Sequence, residues 1–64
     1  MSDKFTILGL SDSGNVELED YPTEADCRLW IKGYTKQGDW GGYYAIAIIS
    51  PSGEYVEVFE KEEL

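Results

Sequence analysis

The sequence predicts an α+β domain of order ββαββ, a four-stranded antiparallel sheet with one helix packed on one face. Three observations carry this. Two pairs of short apolar-rich runs are each split by a cluster of turn formers. A single stripe of helical period lies between the pairs. Pro22-Thr23 before that stripe and Gly38 after it mark its ends.

Lys4 to Leu10 (KFTILGL) reads as the first strand, with Phe5 and Ile7 on one face and Thr6, Leu8 and Leu10 on the other. Ser11 to Asn15 supplies a turn, since Gly14 and Asn15 tolerate positive φ. Val16 to Asp20 (VELED) alternates apolar and acidic, placing Val16 and Leu18 inward and Glu17 and Glu19 on the solvent side of a hairpin. Pro22 cannot donate to a sheet ladder and ends the strand.

Thr23 is a suitable N-cap for a helix running from Glu24 to about Lys36. Glu24 and Asp26 then complement the helix dipole at its start, and Lys32 and Lys36 suit its C-terminal end. Cys27, Trp30, Ile31 and Tyr34 form its apolar stripe, with Ala25 and Leu29 on the opposite side.

Gln37 to Gly42 is a glycine-rich connection around Trp40, which either folds back over the helix end to close the core or stands exposed as an anchor. Tyr43 to Ile49 (YYAIAII) is the most apolar run and the expected central strand. Ser50 to Gly53 forms a tight turn, and Glu54 to Glu60 (EYVEVFE) returns as an outer strand. Lys61 to Leu64 is a polar tail expected to fray. The chain is expected to be one domain over residues 1–64, in which about 60% of the unfolded surface is buried.

Composition narrows the function. Thirteen acidic residues against five basic ones give a net charge of −8. Such a field repels nucleic-acid phosphates and anionic membranes, so direct binding to either is not expected. It attracts a partner with a basic surface. There is no histidine and one cysteine, which leaves acid–base work to carboxylates on strands that read as solvated faces. No catalytic residue, cofactor or metal site is expected, and the chain is expected not to be an enzyme. Cys27 falls within the apolar stripe and reads as a small buried hydrophobe. Met1 to Lys4 lacks a basic segment followed by an apolar run, so no signal peptide and a cytoplasmic location are expected.

Two surfaces are candidates for partner binding. The first joins an acidic edge, Glu17, Glu19, Asp20 and Glu24 with Asp26, to an aromatic anchor at Asp39, Trp40 and Tyr43. The second is the uncovered sheet face. If Tyr44, Ile46, Ile48, Val56 and Val58 face the helix, then Tyr43, Ala45, Ala47, Ile49, Tyr55 and Phe59 face outward. The profile as a whole (tiny, acidic, aromatic-rich, without catalytic side chains) resembles in composition that of phage-encoded inhibitors of host defence, the anti-CRISPR and anti-restriction proteins. That resemblance implies a DNA-mimicking inhibitor of a nucleic-acid-handling protein, acting in the host cytoplasm. The alternative expectation is an assembly subunit that homodimerises through its outer sheet face.

Overall fold

A computed structural model describes residues 3–38 and 40–60. Strands β1 (Phe5–Ser11) and β2 (Gly14–Tyr21) form one hairpin, helix α1 (Glu24–Gln37) follows, and β3 (Ala45–Ile49) and β4 (Tyr55–Glu60) form a second. The sheet order is β2-β1-β3-β4, with every neighbouring pair antiparallel. β1 and β3 are therefore central, while β2 and β4 are free edges. The ββαββ architecture with its four-stranded antiparallel sheet is as the sequence predicts.

The helix boundaries follow from local chemistry. Thr23 is extended (φ −133°, ψ 155°), and its Oγ1 accepts from the Asp26 N–H at 3.2 Å, satisfying one orphan amide of the first turn. Gly38 ends the helix at φ 78° and donates its N–H to the Thr35 carbonyl at 3.1 Å. In the second hairpin, the turn is organised by Ser50. Its carbonyl accepts from Gly53 at 2.9 Å and its Oγ from the Glu54 N–H at 3.1 Å.

The core lies between α1 and one sheet face. It consists of Ile7, Cys27, Ile31, Trp40, Ile46 and Ile48, with Phe5, Leu18, Tyr21, Trp30, Tyr34 and Phe59 packed against them. All four members of the helical stripe thus serve the core, and Leu29 on the far side is 68% exposed. Trp30 stacks on Tyr34 at 4.8 Å, and Tyr34 meets Trp40 at 6.2 Å in a tilted pair, so the aromatics line the helix from its middle to its end.

Four sequence expectations require correction. Tyr43 and Tyr44 precede β3 rather than belonging to it, the chain turning through Gly41 and Gly42 at positive φ. Of the two readings of Trp40, the exposed anchor falls and the core position holds: it is 2% exposed, folded back at the helix end to close the core. Phe59 does not face outward, since its register partner is Ile46 on the helix side, and it is the one residue of β4 that is not exposed, whereas Val58, expected on the helix side, pairs with Ala47 on the outer face. Finally, a bulge in β2 shifts the register between Ile7↔Glu19 and Leu8↔Glu17. It divides Glu17 and Glu19 between the two faces and leaves Val16 47% exposed while Leu18 reaches the core.

Candidate protein-interaction surface

Register determines what the uncovered face presents. Reading across the strands in sheet order, one row is Glu17–Leu8–Ala47–Val58. The rows on either side of it are Asn15–Leu10–Ala45–Glu60 and Asp20–Thr6–Ile49–Tyr55. Side chains directly opposite in a sheet share a face. The outer face is therefore apolar along its centre and carries carboxylates at its rim, from Glu17 and Asp20 on the β2 edge and Glu60 on the β4 edge.

The centre is shallow. Ala45 is 1% and Ala47 0% exposed although no helix covers them. Each is a methyl group lying between larger neighbours, Ala47 between Leu8 and Val58. Val58 and Val56 are 43% and 37% exposed and Tyr55 56%, so the β4 side of the face is its raised apolar border.

Among the described residues, the helix cations are segregated from this face. Arg28, Lys32 and Lys36 belong to α1, on the other side of the sheet, and Lys4 precedes β1. Arg28 is held by two carboxylates. Its Nε donates to Glu24 Oε2 and its NH2 to Glu57 Oε1, both at 2.7 Å, and its guanidinium lies 5.9 Å from the centre of the Phe59 ring. These hydrogen bonds, Glu24 first and then Glu57, raise the Arg28 pKa against the opposing effect of burial.

The acidic edge expected from sequence is only partly assembled. Glu17, Glu19 and Asp20 are exposed on the free β2 strand, but the bulge sends Glu19 toward the helix side. Glu24 is bound to Arg28 and so is partly neutralised. The negative field still concentrates where β2 passes into α1. Burial pushes the Tyr21 hydroxyl above its ordinary pKa, and Glu19, Cys27, Asp26 and Asp20 add to the shift. The Cys27 thiol is raised in the same way, by burial and then by Asp26, Glu24 and Asp20.

Of the aromatic anchor, Trp40 is core and Asp39 lies outside the described residues. Tyr43 is half-buried. A Cβ built on Gly9 would stand 2.8 Å from Cδ1 and Cε1 of its ring, so the ring lies directly over the Gly9 backbone. Exposed aromatic surface comes instead from Tyr55 and from Tyr44 at 55% exposure. Tyr44, expected toward the helix, stands in the bend before β3, where its N–H donates to the Leu10 carbonyl at 2.9 Å. The sequence signal for Tyr43 was a glycine inside a central strand, which marks a place where something approaches the backbone closely.

Among the described residues, no group of three or more His, Cys, Asp or Glu side chains is placed to hold a metal ion. No helix there is long and apolar enough to cross a membrane. No family model, curated protein or solved structure matches the chain.

Proposed function

We propose that this chain is a non-enzymatic protein-binding module, an inhibitor that occupies a basic surface on a nucleic-acid-handling protein. The supporting observation is the outer sheet face, an apolar centre with Glu17, Asp20 and Glu60 at its rim and the helix cations on the opposite side. Apolar contact at the centre supplies affinity, while the carboxylate rim selects for lysine and arginine and speeds encounter.

Size argues that the rim takes part. Four strands about 4.8 Å apart and five residues at about 3.3 Å each make a face of roughly 320 Å². A standard interface buries about 800 Å² per partner. The centre alone is too small, so contact must extend over the acidic β2 edge and the Tyr55 border.

Homodimerisation through the same face is the second reading, favoured by the exposure of Val56, Val58 and Tyr55. Self-pairing would oppose two carboxylate rims in a pair of chains that each carry −8. The two readings differ in the sign of the salt effect. Added salt weakens docking on a basic partner and strengthens the association of two like-charged chains.

The test compares a tagged wild-type chain with its Glu17→Lys/Asp20→Lys variant in pull-downs at low and high salt. A nucleic-acid-binding protein retained by the wild type at low salt, and lost at high salt and in the variant, is the expected outcome. Retention of the same partner by the variant would refute the proposal.

A further inference from the structure

The two free edges of the sheet are not equivalent. β2 carries Glu17, Glu19 and Asp20 and is interrupted by the bulge at Leu18, devices that bar a further strand from pairing. β4 runs from Glu57 to Glu60 in unbroken register with β3, its bulge lying near the turn between Ile48 and Ile49. Over that run, alternate N–H and C=O groups face away from β3 and have no strand beyond them.

Beside this edge lies a groove of about 200 Å³, on the helix side of the sheet, lined by Arg28, Ile31, Lys32, Thr35 and Phe59. It exists because α1 lies over β1, β2 and β3 and leaves the β4 margin less covered. Ile31 and Phe59 form its apolar floor. A strand laid along β4 would put the side chain opposite Phe59 on the helix side, next to this groove. Its neighbour opposite Val58 would lie on the outer face and extend the apolar centre. The next position in line would stand opposite Glu60.

We infer that the β4 edge and the adjoining α1/β4 groove together form a site for strand addition. The occupant is an extended segment of a protein partner with one large apolar side chain for the groove and a lysine or arginine opposite Glu60. The inference rests on the proposed function for the partner's basic character, and it specifies where and how that partner is held. Charge complementarity selects this occupant over a second copy. Glu57 is already held by Arg28, which leaves Glu60 as the carboxylate of this edge open to a partner's cation, and β4 has no cation of its own to offer the Glu60 of a second copy. Main-chain hydrogen bonds would give affinity, and the alternating side chains specificity.

The probe is the synthetic peptide acetyl-Lys-Leu-Val-Thr-Val-Lys-amide, designed to run antiparallel to β4 from a lysine opposite Glu60. It is titrated into the ¹⁵N-labelled 64-residue chain at low salt. Amide shifts confined to residues 55–60 and to Arg28, Ile31, Lys32 and Thr35, with slowed exchange of β4 amides, are the expected result. Methylating alternate peptide nitrogens keeps charge and side chains but removes the ladder, and should weaken binding about tenfold. Val58→Lys should abolish binding, and Glu60→Lys, at an exposed position, should weaken it with the fold intact by far-UV circular dichroism.

Equal affinity for the methylated peptide would overturn strand addition. Shifts confined to Glu17–Asp26 would also overturn it while leaving the basic-partner reading in place. So would β4 shifts that appear on concentrating the chain alone, since those would put a second copy on this edge. The basic-partner reading fails separately, in the pull-down with Glu17→Lys/Asp20→Lys.

Discussion

Replacing Gly9 by alanine adds one methyl group, and the structure specifies what it meets. The new Cβ would stand 2.8 Å from Cδ1 and Cε1 and 3.0 Å from Cγ of Tyr43, well inside van der Waals contact. Cγ is the root of the ring, so a small rotation cannot clear the clash and the whole ring must move. Overpacking of this kind costs about 1–3 kcal/mol. Alanine should otherwise be preferred to glycine in a strand by roughly 0.5–1 kcal/mol, which leaves a net loss centred on about 1 kcal/mol. In a domain of this size each kcal/mol moves Tm by about 4–8 °C, so Gly9→Ala should melt about 4–8 °C lower. Urea unfolding followed by far-UV circular dichroism and by the fluorescence of buried Trp40 would measure it. The decisive arm is the cycle with Tyr43→Ala. Without the ring, Gly9→Ala should be neutral or slightly stabilising, giving a coupling of at least about 1 kcal/mol. An equal cost of Gly9→Ala in both backgrounds would show that the ring is not the cause.

Two further predictions follow from titration and charge. Burial and acidic neighbours hold the Cys27 thiol and Tyr21 hydroxyl above their ordinary pKa values, so the unfolded chain loses these protons first as pH rises. Stability should be unaffected by these groups at neutral pH and should decline above about pH 9. Urea midpoints measured from pH 7 to 10 test this, and a Cys27→Ala background should show a shallower decline. Arg28→Ala should lower the urea midpoint only slightly, because its pairs with Glu24 and Glu57 are 40–45% exposed and screened. About 1 M salt should remove the ionic share and leave the packing of the arginine stem near Phe59; an undiminished cost in salt would show that the ion pairs contribute nothing.

The parts of the fold legible in sequence were those with local signals. Thr23, Gly38 and the stripe Cys27–Trp30–Ile31–Tyr34 each act within a few residues, and each stands where the sequence places it. The facing of β4 was not legible. In EYVEVFE both alternating sets contain apolar side chains, Val56 and Val58 in one and Tyr55 and Phe59 in the other, so period alone gives no parity. The pairing of Phe59 with Ile46, together with the bulge near the turn, decides it. β2 carried an apparently clear alternation, yet one extra residue at Leu18 altered the facing of its glutamates. The candidate site suffered most, because the exposure of Trp40 and the location of Tyr43 depend on contacts with residues distant in sequence.

The seam between β1 and β3 is the one non-local junction of the sheet. Each hairpin closes on residues nearby in the chain, whereas the seam joins Thr6 to Ile49 and Leu10 to Ala45 across nearly the whole molecule. The largest single loop-closure cost of the sheet falls at that junction. Two locally formed ribbons, tethered by a capped helix, must meet there before Ile7, Ile46 and Ile48 are shielded from water. A chain with both hairpins formed but the seam open would lack the interface on which Ile7, Ile46 and Ile48 are buried together.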